Sequence, residues 1–202
     1  MSIETQRNET RKRIKKLRSG QTELDRGSKS VAIGKRLGSL HGFQTARAIA
    51  FFSSTQGEVN TDEMIDSSLR EGKKISMPKV NTKSVGITFY QIHSRKDMNV
   101  GKYGILEPDG DHGSIVTRPE LDIMIVPGIA FDGNCNRLGY GKGYYDSFLR
   151  EIGAMKVGLA FDFQIVPKID RVEGDVQMDF VITESRLLRC HVEKVGKDLI
   201  FE

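Results

Sequence analysis

Cysteine is scarce in this chain. Cys135 and Cys190 are the two among 202 residues, too few for a disulfide framework or a thiolate metal site, so the expected compartment is the reducing cytoplasm. The four histidines (His41, His93, His112 and His191) show no ligand spacing, which points to surface or polar-packing roles. No apolar run approaches the roughly 20 residues that a membrane helix needs. The first stretch, MSIETQRNETRKRIKKLRSG, lacks the apolar segment of a secretory signal. Its basicity mimics a transit peptide, but Glu4 and Glu9 argue against one. There is no internal repeat, no G-x-x-x-x-G-K-[ST] loop and no dinucleotide fingerprint. What remains, at 38% hydrophobic and 29% charged residues, is a globular chain long enough to bury a sizeable core.

The net charge of +4 is modest, yet Arg7, Arg11, Lys12, Arg13, Lys15, Lys16 and Arg18 crowd one end. Three readings stand: a solvated helix face, a nucleic-acid arm, or a grip on an anionic small molecule such as a nucleotide. No aromatic residue interrupts the run to offer base stacking.

Helix and strand signals alternate along the chain. Residues 4–18 and 27–40 read as helices and 46–53 as a buried strand. Residues 61–71 read as a helix capped by Asn60 or Thr61 and ended by Gly72. Strands are expected at 74–80, 86–92, 123–126, 156–161 and 180–183, with a helix over 144–152 and irregular polar chain over 93–119. The pattern predicts an α/β fold in three layers, a mostly parallel sheet flanked by helices. Ligands of such sheets bind beyond the carboxyl ends of the strands, where loops 53–60, 127–143 and 162–179 are expected to converge.

The densest chemistry lies in Phe131-Asp132-Gly133-Asn134-Cys135-Asn136-Arg137-Leu138-Gly139-Tyr140-Gly141-Lys142-Gly143-Tyr144-Tyr145-Asp146. It reads as strand, glycine-rich loop, helix. Glycines at 139, 141 and 143 strip side chains from the backbone where the helix begins, which suits an anion. Arg137 and Lys142 add full charges, and Asp146 adds a hard oxygen for a divalent cation. The bland alternative is a surface turn with incidental cations. Glu58, just before the helix cap at 60–61, is either a substrate acid or a charge on the helix dipole. Tyr144 and Tyr145 suit ligand stacking and core packing equally.

Pro127, Gly128 and the run from Phe131 to Asp146 resemble the 5-formyltetrahydrofolate cyclo-ligase signature, P-G-x-x-F-D-x-x-G-x-R-L-G-x-G-x-G-[YF]-Y-D. Cys135 departs from it, standing where the family usually has glycine; Gly133 or Asn134 is then expected to supply the left-handed residue. Ser147 stands where Arg is common. Arg7 and Arg11 resemble the family's N-terminal cation pair, and the segments 103–108, 158–164 and 175–183 resemble further family blocks.

The resemblance implies one cyclo-ligase domain over 1–202 with a basic N-terminal helix, on a fold like that of ribose-phosphate isomerases and CoA transferases. It implies conversion of 5-formyltetrahydrofolate to 5,10-methenyltetrahydrofolate, with ATP and Mg²⁺, through phosphorylation of the formyl oxygen. Carried over, ATP is held by Arg7, Arg11, Arg137, Leu138, Gly139, Tyr140, Gly141, Lys142, Gly143, Tyr144 and Tyr145. Folate is held by Glu58, Tyr140, Gly141, Lys142, Gly143 and Tyr144. Arg137 and Glu58 are the catalytic residues, and the metal falls to Asp146 with Asp179 or its neighbour Asp175, acids that read equally as surface charges. A monomer is expected, with a dimer as alternative, and no nucleic acid or membrane partner. The rival functions are a phosphosugar isomerase or CoA transferase relative and a nucleic-acid-binding protein.

Overall fold

Short apolar segments become the centre of one large sheet. The computed structural model describes residues 2–55, 57–81, 86–101, 104–109 and 113–190. In chain order these form α1 (Ile3–Ser19), α2 (Glu23–Ser39), α3 (His41–Thr45), β1 (Ala48–Ala50), α4 (Asp62–Arg70), β2 (Lys74–Asn81) and β3 (Gly86–Ile92). Then come β4 (Met98–Val100), β5 (Leu106–Pro108), β6 (Ile115–Val116), β7 (Ile123–Val126), β8 (Ala130–Asp132), β9 (Arg137–Leu138) and α5 (Tyr144–Leu149). The chain closes with β10 (Met155–Leu159), β11 (Ile165–Val166), β12 (Phe180–Ile182) and β13 (Leu187–Arg189). The large sheet has the order β13-β12-β10-β7-β1-β2-β3-β6. From β12 to β2 the neighbours run parallel; β13 at one edge and β3 and β6 at the other are antiparallel.

Both faces of this sheet are covered, which explains why its central strands read as unbroken apolar runs. In β7, Ile123 and Ile125 join a core holding Ile33 and Leu37 of α2 and Met64 and Ile65 of α4. Met124 and Val126 point the other way, into a core with Phe148 and Leu149 of α5. A third cluster sits on a smaller sheet of order β11-β8-β9. There Ile14 of α1 meets Ile129, Ala130, Leu138, Val166 and Ile169. The N-terminal helix is therefore seated on the protein, not appended to it. Ser2 caps it, accepting from the Thr5 N–H.

The turn joining β8 to β9 is organised by Asp132. Its carboxylate, 1% exposed, accepts hydrogen bonds from the Asn134 and Asn136 N–H groups, the Asn136 side-chain amide and the Ile169 N–H. Curling the chain round one side chain puts Cys135 at φ 60°. The left-handed residue is thus Cys135 itself, not Gly133 or Asn134. A side chain there costs roughly 1–2 kcal/mol. Complete burial of the side chain among Phe131, Met178 and Val181 offsets it, and burial also pushes the thiol up to about 12. Asp132→Ala should cost roughly 3 kcal/mol by leaving several donors without an acceptor. A urea titration reads this as a lower midpoint at unchanged slope; an unshifted midpoint would show that the hairpin does not depend on it.

The structure departs from the sequence expectation in several places. The glycine-rich loop leaves β9, not β7, because the β8–β9 hairpin intervenes. The strand expected over 46–53 is cut to β1, since the Phe51 N–H still reaches Ser76 but Phe52 turns its carbonyl to the Thr61 hydroxyl. The second helix starts earlier, because Thr22 caps it by accepting from the Asp25 N–H. The stretch 144–152 is helical only to Leu149. The polar region 93–119 contains the β4–β5 hairpin and β6.

Candidate active site

Three loops converge beyond the carboxyl ends of the parallel strands, as the fold class predicts. Phe52, Ser53, Thr55 and Glu58 follow β1, residues 127–146 follow β7, and residues 172–175 precede β12. Together they line a cleft of about 530 Å³. β2 and β3 contribute an apolar wall of Pro78, Val80 and Ile87, and α1 contributes Glu4, Arg7 and Arg11. Pro78 fits here because β2 has already passed its last pairing with β1, so the missing N–H breaks no bond on that side.

The glycine-rich loop is tight for steric reasons. Gly141 and Gly143 have φ of 95° and 71°, a region that a side chain rarely enters. Gly139 is constrained differently: a Cβ there would lie 2.9 Å from Arg137 Nη1. That guanidinium cannot simply swing away. Its Nη1 donates to the Pro127 carbonyl at 3.1 Å and its Nη2 pairs with Asp146 at 2.7 Å. Gly139→Ala should therefore lower turnover about tenfold or more by displacing Arg137, with little change in melting temperature. Unaltered kinetics would mean that Arg137 has slack. From outside, Arg11 holds the same loop, donating from Nε to the Gly139 carbonyl at 3.0 Å.

Two buried arginines line the cleft. Arg7 is 7% exposed; it grips Asp175 with two hydrogen bonds of 2.6 and 3.1 Å and reaches the Asp170 carbonyl. Burial alone would raise the Asp175 carboxyl, but the Arg7 bonds and the Val172 N–H bring it below its ordinary range. Arg137 is 5% exposed. In both residues Nε is buried and has no hydrogen-bond partner among the described residues.

Glu58 lies across the cleft, 5% exposed. Oε2 accepts from the Thr55 N–H and hydroxyl at 3.0 and 2.9 Å, and Oε1 accepts from the Tyr140 hydroxyl at 2.6 Å. Its oxygens are taken by Thr55 and Tyr140 and not by the first turn of α4, whose Asp62 N–H donates to Asn60. Tyr140 presents its ring to the cleft and turns its hydroxyl inward. Burial, then the neighbouring Glu58 charge, push that phenol above its ordinary range, and the same two causes act on Tyr145.

A family model described as the 5-formyltetrahydrofolate cyclo-ligase family matches residues 3–184. The chain belongs to that family. The 5-formyltetrahydrofolate cyclo-ligase of Escherichia coli K12 is 33% identical over 146 residues, covering 70% of this chain and 80% of its own length. The mouse 5-formyltetrahydrofolate cyclo-ligase is 29% identical over 172 residues, covering 80% and 85%. Among solved structures, the 5,10-methenyltetrahydrofolate synthetase of Aquifex aeolicus superposes with a TM-score of 0.83 at 32% identity, covering 96% of each chain. A synthetase from Mycoplasma pneumoniae shares the fold at 22% identity, with a TM-score of 0.72.

In this cyclo-ligase family member, Arg7, Arg11, Glu58, Arg137, Gly139, Tyr140, Gly141, Lys142, Gly143, Tyr144, Tyr145 and Asp146 all line one cleft. Two expected residues do not. Leu138 is 1% exposed and buried in the third core cluster, because the alternation along β9 sends it away from the cleft when Arg137 faces in. Asp179 precedes β12 at the amino end of the strands, where it pairs with Lys156 at 3.0 Å and accepts from the Lys156 N–H. The structure thus does not bring Asp179 to a metal beside Asp146. Asp175 is in the cleft, but both its oxygens are taken by Arg7. Tyr103, His112 and His191 lie outside the described residues. Arg18, one more N-terminal cation in the sequence, is the functional neighbour that no motif marks. It stands on the same helix face as Arg7, Arg11 and Ile14, at spacings of four, three and four, and that regularity was the available signal.

Proposed function

We propose that the chain converts 5-formyltetrahydrofolate to 5,10-methenyltetrahydrofolate, using ATP with Mg²⁺ and releasing ADP and phosphate. The observation that carries this reading is four cations, Arg7, Arg11, Arg137 and Lys142, lining one cleft with the glycine-rich loop. A polyphosphate is the ligand that matches clustered cations and free loop N–H groups at once. The activity for which the family is named and the apolar wall from β2 and β3 suit a flat folate ring opposite the phosphates.

The chemistry explains the division. A formamide oxygen leaves poorly, so ring closure by N10 on the formyl carbon needs that oxygen phosphorylated first. Phosphate is then the leaving group. Phosphoryl transfer asks the protein for alignment and charge neutralisation. Arg7, Arg11, Arg137, Lys142 and the loop N–H groups of Gly139, Gly141 and Gly143 meet the phosphates, with Tyr144 and Tyr145 beside them. Glu58 and the Tyr140 ring meet the folate.

No group of three metal-binding side chains occurs among the described residues. That fits Mg²⁺ held mainly by phosphates with one or two carboxylates, and Asp146 is the carboxylate in place. When bound, the ion neutralises charge on the transferred phosphoryl group. Asp146→Asn should raise the Mg²⁺ needed for half activity by about tenfold; an unmoved midpoint would leave Asp146 only its pairing with Arg137. Arg7, Arg11 and Arg18 are turned into the protein, which withdraws three cations from a nucleic-acid surface.

The decisive experiment is the absorbance of methenyltetrahydrofolate formed from 5-formyltetrahydrofolate, with ATP and Mg²⁺ withheld in turn. No product from folded protein with both present would overturn the reading. Product without ATP would overturn its phosphorylation step.

A further inference from the structure

We propose that Arg18 is a positioning residue that sets the Glu58 carboxylate through the Tyr140 hydroxyl. The proposal rests on the reading of Glu58 as the folate-side acid. Arg18 is not among the residues lining the cleft. It lies behind it, 8% exposed, at the far end of the α1 face that carries Arg7 and Arg11.

From there its guanidinium ties three loops together. Nη1 donates to the Tyr140 hydroxyl at 2.7 Å, and Nη2 donates to the Gly128 carbonyl. The Glu58 carboxylate lies 3.6 Å from Nη1. Below, Gly57 packs so closely that a Cβ on it would come within 3.2 Å of the Arg18 Cβ. The loop after β1, the loop after β7 and the glycine-rich loop therefore share one buried cation.

The hydrogen bonds have a forced direction. A guanidinium has donors and no acceptor, so the Tyr140 oxygen must accept from Arg18. Its own proton is then committed to Glu58 Oε1 at 2.6 Å. Thr55 donates twice to Oε2. Every neighbour of the carboxylate is thus a donor, and its plane is fixed from both ends. With three of about four acceptor sites taken, the one left on Oε1 suits an N–H donor on the substrate.

The test compares Tyr140→Phe, Arg18→Lys and Arg18→Met with the wild type, measuring kcat and KM for each substrate alongside thermal melts. Tyr140→Phe removes one hydroxyl and keeps the ring, so it should fold. Its kcat should fall roughly tenfold to a hundredfold, while KM for ATP and the melting temperature stay put. Arg18→Lys should retain more activity than Arg18→Met, and adding Tyr140→Phe to Arg18→Lys should cost little more than the worse single change, because both act along one path. Wild-type kcat in Tyr140→Phe would overturn the role of Arg18 while leaving the proposed reaction intact. So would equal losses in ATP and folate parameters. Absence of product from the wild type would overturn the proposed reaction, and this role with it.

Discussion

Arg137→Ala is expected to lower kcat/KM by roughly a hundredfold to a thousandfold, the scale of losing one charge-stabilising donor in a water-poor site. The side chain is held by Pro127 and Asp146, which fixes its charge at the wall of the cleft that it lines. Removing the side chain also releases Asp146, so the Mg²⁺ dependence should weaken in the same variant. Arg137→Lys should rescue little, because an ammonium cannot span Pro127, Asp146 and a phosphate at once. Steady-state kinetics with thermal melts separate the effect from unfolding. Wild-type turnover in a folded Arg137→Ala protein would remove Arg137 from the mechanism.

Glu58→Gln is the other large effect. The side chains match in shape, so the change isolates charge and hydrogen-bond direction. An amide presents one acceptor and one donor group. Turned one way, its NH₂ meets the Thr55 N–H; turned the other, it meets a Tyr140 proton already directed at it by Arg18. Either arrangement sets donor against donor and leaves Arg18 without its counter-charge. Folate turnover should drop by about a hundredfold, while ATP binding is spared. Calorimetric titration of each ligand separately gives the answer; equal weakening for both would contradict the division of the cleft.

The parallel sheet was legible because strands buried on both faces leave continuous apolar runs, as at Ile123–Val126. The glycine-rich loop and Glu58 were legible because few structural needs put three spaced glycines beside two cations. Distance in the chain hid the rest. Arg18 showed its helical spacing, but its partners Gly128 and Tyr140 lie 110 and 122 residues away. Asp179 was misplaced because a sequence does not say at which end of the sheet an acid before a strand will sit. Strands such as β9 and β11, two residues each, are too short to show a period. The left-handed Cys135 was hidden because the position calls for glycine, and only the grasp of Asp132 explains why a side chain is tolerated.

The bond from Arg7 to Asp175 has a consequence for synthesis. Its two ends are 168 residues apart. At about 5–20 residues per second, the first helix waits roughly 8–34 seconds after it is made before its partner exists. Ile14, Arg11 and Arg18 gain partners once residues 128–140 are made, and Arg7 is the last of α1 to pair. The phosphate half of the cleft is therefore a late product of folding, closed only when the segment at 170–175 arrives. Nascent chains halted before that point should display an N-terminus open to proteases and chaperones, and full-length chains should not.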